Sequence, residues 1–255
     1  MDELTLARVE DASLNASAPP QQRWLDGWLV RLSPGKAKRA RCVNAVAPGR
    51  LPLHERLRLA ALAFDEAGLP LVVRMTRFTQ PPDLDAQLAA LGYTVLDDTR
   101  VMIRSGLRST APQTSPALPP GLDWVRLPPE RYAAEVGALR GSPLEQVHAH
   151  AQRLTHSPVP YAGYALCRQG DGAVLACGQF AREADLVGLY DVFTRPEARG
   201  QGLAMMLCER LLSTSAAEGA EVAYLQVEAD NTAARRIYAR LGFAEGYRYH
   251  YRQRP

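Results

Sequence analysis

The sequence is short of the features that mark several classes of protein. It has four cysteines in 255 residues, and no two form a CxxC pair, which argues against a zinc site and against a secreted disulfide framework. The N-terminus lacks the basic-then-apolar run of a signal peptide, and no stretch approaches the ~20 apolar residues of a membrane span. A net charge of only +3 does not indicate a nucleic-acid or membrane partner. We therefore expect a cytoplasmic protein with reduced thiols and no metal.

One segment divides the chain into two parts. Residues 107–121 are rich in proline, serine and threonine and have no hydrophobic period, so we interpret them as an extended linker. The linker separates residues 1–106 from residues 122–255. Each part is long enough to fold as a domain.

The two parts repeat one order of elements. Hydrophobic periodicity predicts strand, helix, strand and helix in each, followed by a Leu-Gly-aromatic stop and a strand pair. Gly92 and Gly242 stand where a helix needs a left-handed C-terminal residue. The predicted elements are 40–46, 53–68, 71–76 and 83–92 in the first part and 186–194, 203–219, 221–228 and 231–242 in the second. Such a repeat indicates duplication of one α/β unit.

The most informative motif is a glycine-bearing loop between a strand and a helix in the second part. After the strand ends at Arg195-Pro196, the chain reads Arg199-Gly200-Gln201-Gly202-Leu203-Ala204 and opens an amphipathic helix. Unpaired backbone N–H groups and the positive end of the helix dipole converge there, so the loop predicts an anion site. The spacing is neither the GxGxxG of a dinucleotide fold nor the GxxxxGK[ST] of a nucleoside-triphosphate loop.

The Arg199-x-x-Gly202-x-Ala204 pattern resembles the Gln/Arg-x-x-Gly-x-Gly/Ala signature of the GNAT superfamily of N-acetyltransferases. A strand, Asn231, Tyr238 and Leu241-Gly242-Phe243 follow at that family's spacing. The resemblance implies an α/β fold of two tandem GNAT-like units, each a mixed, twisted β-sheet flanked by helices. It also implies transfer of an acetyl group from acetyl-CoA to a primary amine, by direct attack in a ternary complex.

The resemblance assigns roles to particular residues. The loop amides would hold the pyrophosphate of acetyl-CoA, the end of the preceding strand would pair with the pantetheine arm, and Asn231 would help to hold the cofactor. Tyr238 would be the acid that protonates the departing thiolate. The implied cofactor-binding residues are Val192, Phe193, Thr194, Arg199, Gly200, Gln201, Gly202, Leu203, Ala204, Met205 and Asn231.

The general base is less well defined. An amine with a pKa of about 10.4 must lose a proton before it attacks a thioester. Some GNAT proteins carry a glutamate where this chain has Gln226, and Glu228 lies two residues on, so it shares the same strand face. Other members place a carboxylate where this chain has Gly188, with Asp185 and Asp191 only nearby. Glu228 or a bound water therefore remain the two candidates.

The first part departs from the signature. Where the loop should stand, residues 47–52 contain two prolines and lack the glycine spacing, and prolines remove the N–H donors that a pyrophosphate needs. We expect a degenerate unit that does not bind acetyl-CoA. The basic run Lys36, Lys38, Arg39 and Arg41 could meet an acidic substrate or RNA, although a solvated strand edge or turn is favoured.

The acceptor amine is not identified by the sequence. It could be a small molecule or a peptide, bound between the splayed strands of the second sheet, the segment 142–160 and the first part. That segment carries His148, His150 and His156, which lack a carboxylate or cysteine partner for a metal site. An alternative function is that of a non-catalytic acyl-CoA sensor.

Overall fold

The computed structural model describes residues 1–110 and 117–255; the middle of the predicted linker, residues 111–116, lies outside the described residues. The helices are α1 (Glu3–Ala16), α2 (Leu53–Glu66), α3 (Leu84–Ala90), α4 (Leu107–Thr110), α5 (Pro129–Arg140), α6 (Leu144–Thr155), α7 (Leu203–Ala217) and α8 (Thr232–Arg240). The strands are β1 (Gln21–Leu25), β2 (Trp28–Leu32), β3 (Val43–Ala45), β4 (Val72–Met75), β5 (Thr94–Ser105), β6 (Leu122–Leu127), β7 (Tyr161–Arg168), β8 (Val174–Glu183), β9 (Leu186–Thr194), β10 (Val222–Glu228) and β11 (Ala244–Gln253). None of these described helices is long and apolar enough to cross a membrane.

The described strands form one sheet in the order β1-β2-β3-β4-β11-β5-β10-β9-β8-β7-β6. Strand β3 is parallel to β4, and β9 is parallel to β10. The other neighbouring strands pair antiparallel. A helix joins the two strands of each parallel pair, α2 in the first half and α7 in the second. The sheet is thus mixed and carries the predicted repeat, which confirms the α/β fold of two tandem units.

The two halves exchange their final strands. Strand β5 ends the first half but lies between β10 and β11 of the second. Strand β11 ends the second half and pairs with β4 of the first. The exchange is reciprocal, so β5 and β11 lie side by side at the centre of the sheet. Residues 1–106 and 122–255 therefore share one sheet, and their division into domains stays a prediction.

Two local details differ from the sequence prediction. The segment predicted as a linker begins with α4, and Leu107 is fully buried in the core beneath α7. The strand pair predicted after each Leu-Gly-aromatic stop is one long strand, β5 or β11. In β5 the residue Asp97 has a φ of 49°, so the strand bends without ending. The stops themselves are as predicted, since Gly92 and Gly242 both have a φ of 82°.

Helices cover both faces of the sheet in the second half. Alternate residues of a strand face opposite sides, and on β10 Leu225 packs with Leu207 and Leu211 of α7, whereas Tyr224 packs with Leu6 of α1. Helix α7 is therefore held on one face and α1 on the other. Because the predicted apolar face of α7 packs on the sheet, the helix is held with its N-terminus near the end of β9, the strand that it follows.

A buried ion pair joins the first helix to β4 and to the exchanged strand β11. Glu10 of α1 and Arg74 of β4 form a two-pronged ion pair, with Nη2 to Oε2 at 3.1 Å. Both residues are buried, and the Tyr247 hydroxyl of β11 donates to Glu10 Oε2 at 2.6 Å. The Arg74 guanidinium also stacks on the Tyr249 ring at 4.0 Å. One carboxylate thus links α1, β4 and β11.

Removing Glu10 alone should destabilise the protein strongly. Glu10→Ala leaves the Arg74 guanidinium buried without a partner, at a cost of about 3–5 kcal/mol in the free energy of unfolding. We expect Glu3→Ala, which breaks the exposed pair with Arg77, to cost no more than ~1 kcal/mol. Urea unfolding checks both values. The double change Glu10→Leu/Arg74→Met should recover most of the loss, and equal costs for Glu10→Ala and Glu3→Ala would contradict the prediction.

Candidate active site

The site begins where two parallel strands separate. Strands β9 and β10 pair only from Leu186↔Val222 to Leu189↔Leu225. Two residues later Asp191 adopts a φ of 51°, a left-handed conformation that is uncommon for a residue with a side chain. The last residues of β9 pair with β8 on their other side, so the backbone of Val192, Phe193 and Thr194 has a free edge toward the opening. Such an edge can accept an extended ligand as an added strand.

The glycine-bearing loop forms an array of backbone donors next to this opening. Gly200 and Gly202 have φ values of 78° and 76°, and Gly202 caps α7 without a side-chain hydrogen bond to its first turn. A Cβ at either glycine would meet no atom within 4 Å. The glycines are therefore required by backbone conformation rather than by space. Free first-turn amides at a helix N-terminus fit a diphosphate.

The predicted cofactor residues come together in one groove between α7 and α8. The groove has a volume of about 640 Å³, and every predicted cofactor residue except Gln201 lines it. The residues are Val192, Phe193, Thr194, Arg199, Gly200, Gly202, Leu203, Ala204, Met205 and Asn231. Arg240, at the end of α8, lines it as well and was not predicted, because a lone arginine in a basic helix carries no distinguishing sequence signal.

The side chains of Arg199 and Asn231 contact neighbouring residues of the protein. Arg199 Nε donates to the Thr194 carbonyl at 3.4 Å, and its guanidinium lies 5.7 Å from the centre of the Phe193 ring. Asn231 caps α8, since its Oδ1 accepts from the Ala234 N–H at 3.1 Å. Both side chains thus shape the groove, and within the part of the chain that the structure describes the Asn231 amide nitrogen donates to no other residue, so it can bind a ligand.

Tyr238 lies where this cofactor groove meets a second cleft, between the splayed ends of β9 and β10. It lines both spaces and packs edge-to-face on Phe243, with ring centres 6.1 Å apart. Burial raises the pKa of its hydroxyl, so the group is protonated at neutral pH. Neighbouring Cys208 is no nucleophile, because burial raises its pKa to about 12.

The second cleft, which we call the acceptor cleft, contains Glu228. This residue is exposed at the end of β10 and lines the acceptor cleft together with Tyr238. Gln226 lines it too, but its Oε1 accepts from Arg39 of the first half and from the Tyr249 hydroxyl at 2.7 Å. Gln226 is therefore a fixed structural contact. The acceptor cleft takes side chains from both halves.

The alternative carboxylate positions differ in their surroundings. A Cβ on Gly188 would lie 2.6 Å from the rings of Tyr190 and Tyr224, so that position has no room for an acid. Asp185 lies outside the clefts and pairs with Arg8.

Asp191 is the half-buried centre of a polar network that the sequence did not reveal. Its carboxylate accepts from Arg140 at 2.9 Å and from Gln179 at 2.7 Å, and His150 Nε2 lies 3.2 Å away. Burial raises the pKa of Asp191, but the contact with His150 and the charges of Arg140 and Arg153 outweigh it and hold the pKa well below its usual value. Asp191 is therefore ionised and a poor base. Its left-handed conformation leaves no mark in the sequence.

Comparisons with known proteins agree with this architecture. The chain is 25% identical over 231 residues to the uncharacterized N-acetyltransferase YobR of Bacillus subtilis (strain 168), covering 91% of each. It is 34% identical over 168 residues to the mycothiol acetyltransferase of Streptomyces scabiei (strain 87.22), covering 60% of this chain and about half, 52%, of that protein. A GCN5-related N-acetyltransferase from Kribbella flavida superposes with a TM-score of 0.70 at 18% identity, over 98% and 95% of the two chains. A tandem GNAT protein from the clavulanic acid biosynthesis pathway gives 0.64 at 16% identity, over 79% and 69%.

The strand splay, the glycine loop and the helix that follows it define the GNAT class of acyl-CoA-dependent acetyltransferases. Residues 5–252 match the family described as "Probable histone acetyltransferase Rv0428c C-terminal". Since the match spans nearly the whole chain, the protein belongs to this family and is an acyl-CoA-dependent acetyltransferase.

Proposed function

We propose that the protein transfers an acetyl group from acetyl-CoA to a primary amine by direct attack within a ternary complex. The observation that supports this most is the position of Tyr238, which lines both the cofactor groove and the acceptor cleft. A half-buried, protonated hydroxyl at that junction can donate a proton to a leaving group in one space while a nucleophile enters from the other.

The cofactor groove fits acetyl-CoA by its chemistry. The amides of residues 200–205 would hold the diphosphate, the free edge of Val192–Thr194 would pair with the extended pantetheine arm, and Arg240 would add a cation. When bound, acetyl-CoA supplies an activated acetyl thioester. The prolines in residues 47–52 of the first half support a single cofactor site per chain.

The chain's own groups account for the proton transfers. An N–C bond forms as the C–S bond breaks; the amine proton passes to Glu228, directly or through a water, and Tyr238 gives its proton to the sulfur. The Val192 N–H donates to the acetyl oxygen as negative charge builds there. The carboxylate of Asp191 is held by its cations and takes no proton.

Glu228→Gln should lower kcat/KM by about 10–100-fold, because general-base catalysis contributes on the order of 10²–10⁴ and a water can partly replace the carboxylate. Affinity for acetyl-CoA should not change. The matched control is Glu221→Gln, which precedes the other end of β10 and pairs with Arg108. Turnover at the wild-type level in Glu228→Gln would leave the water as the base.

Calorimetric titration with acetyl-CoA, followed by an amine screen, tests the proposal as a whole. One site per chain together with turnover supports it. Binding without turnover of any amine would favour the alternative of an acyl-CoA sensor. Absence of binding would contradict both functions.

A further inference from the structure

A pocket opens next to the acceptor cleft, between the two halves of the chain. It is lined by Ser33 and Lys36 of the first half and by Arg140, His150 and Arg153 of helices α5 and α6, with Asp191 at its inner wall. Arg140 and Asp191 line the acceptor cleft as well, so the two spaces adjoin at this ion pair. We call this space the inter-half pocket, and it neighbours the cleft that contains Tyr238 and Glu228.

The inter-half pocket is sized for a small molecule. Its volume is about 140 Å³, roughly ten times the ~10–15 Å³ that one water requires. Val136 and Ala133 of α5 are buried, and a Cβ on Gly137 would lie only 2.5 Å from the Val147 side chain of α6. The two helices therefore pack closely behind it.

The pocket carries an excess of positive charge. Lys36, Arg140 and Arg153 line it against the single carboxylate of Asp191. Arg140 forms an ion pair with that carboxylate. Arg153 donates to the Tyr161 hydroxyl at 3.2 Å, and its Nη2 lies 4.0 Å from Asp191. One carboxylate cannot neutralise both arginines and the lysine, so the potential in the pocket favours an anion.

Among the three cations that line the pocket, Lys36 is the one exposed at its rim. The chain has only two lysines, Lys36 and Lys38. Lys38 pairs with Asp97, whereas Lys36 is exposed at the rim and forms no ion pair within the described residues. A flexible ammonium without a partner at the mouth of a cationic pocket is suited to an incoming carboxylate or phosphate.

We propose that the inter-half pocket binds the acceptor and that the acceptor is a small amine bearing an anionic group, a carboxylate or a phosphate. The proposal rests on the proposed function and gives the first half a role, because Lys36 supplies the selective contact. It also disfavours a lysine in a basic peptide, whose neighbouring charges would be repelled by Lys36, Arg140 and Arg153.

Matched amines test this class with the full-length protein. Initial rates of CoA release are compared for glucosamine 6-phosphate and glucosamine, for an α-amino acid and its amide, and for a lysine-rich peptide. The cysteines are all buried, which keeps the background of a thiol reagent low. We expect kcat/KM to be at least ~10-fold higher for one anionic member than for its neutral partner, and the preference to shrink in 0.5 M NaCl as charges are screened. The pair that shows the preference separates phosphate from carboxylate.

Lys36→Glu tests whether the preference for anionic amines arises in the inter-half pocket. It should lower kcat/KM for the preferred anionic amine by ~10–100-fold and that for its neutral partner by no more than ~3-fold, while the acetyl-CoA affinity stays at the wild-type value. Arg23→Glu, the same charge change on exposed edge strand β1, is the control and should leave both amines unaffected. A preference for the neutral amines or the basic peptide, or an equal loss with both variants, overturns the proposal but not the proposed function.

The two proposals can fail separately. If acetyl-CoA binds but no amine turns over, the proposed function fails, and calorimetry with the sugar pair and with the amino acid and its amide tests the pocket. Binding of the anionic member of one pair alone, lost in Lys36→Glu, supports an anionic ligand there. Binding of neither anionic member, or equal binding of both members of each pair, overturns it.

Discussion

Gly202→Asp should weaken acetyl-CoA binding by at least ~100-fold, about 2.7 kcal/mol. Gly202 caps α7 with a φ of 76° in open space, a conformation that aspartate tolerates better than most residues. The loss therefore comes mainly from a carboxylate placed beside the free amides of the helix N-terminus, where it satisfies them itself and repels the diphosphate. Calorimetric titration measures both the affinity and the number of sites.

The matched control is Gly68→Asp. Gly68 follows α2 with a φ of 64°, and a Cβ there also meets no atom within 4 Å. It tests the cost of an aspartate in the same backbone conformation, far from the cofactor groove. Unchanged affinity in Gly202→Asp, or an equal loss in both variants, would show that acetyl-CoA does not bind at this loop. Two sites in the wild-type protein would show that the first half also binds the cofactor.

Tyr238→Phe should lower kcat by ~10²–10⁴, because it removes a positioned proton donor. Affinity for acetyl-CoA should stay within a few-fold of wild type, since the ring and its contact with Phe243 are kept. The raised pKa of Tyr238 means that the acid form is present throughout the neutral range and is lost only well above pH 10. Single-turnover measurements at saturating acetyl-CoA separate chemistry from binding.

Tyr93→Phe controls for the loss of a buried hydroxyl. Tyr93 is buried in the core of the first half, and burial raises its pKa as it does that of the half-buried Tyr238. It should have wild-type kcat. If Tyr238→Phe turns over at the wild-type rate, Tyr238 has no part in the reaction, and the thiolate leaves unassisted or with a proton from water.

Local patterns in the sequence predicted the parts of the site that are continuous in the chain. The loop at Gly202 follows a strand and opens a helix, so its anion-binding geometry depends on neighbours within a few residues. The same is true of Asn231, whose capping of α8 is a local hydrogen bond. The order of helices and strands followed from periodicity for the same reason.

What the sequence could not predict depends on distant pairings. The ion pairs of Asp191 join β9 to α5 and α6, and Arg39 reaches Gln226 across 187 positions. The exchange of β5 and β11 is equally hidden, because a β-strand pattern states which face is apolar but not which partner it will find. The sequence did predict that the first part lies near the acceptor, but only these contacts show which of its side chains, Arg39, reaches the acceptor cleft.

The exchange of β5 and β11 also governs how the chain comes to be folded. Strand β4 of the first half pairs with β11, which follows all the other described strands along the chain. Until β11 is made, one edge of β4 therefore has no partner strand. Pairing between strands so far apart in the sequence is slow to form. In this structure each half takes a central strand from the other. We therefore expect the two units of the repeat to unfold together in one transition rather than one after the other.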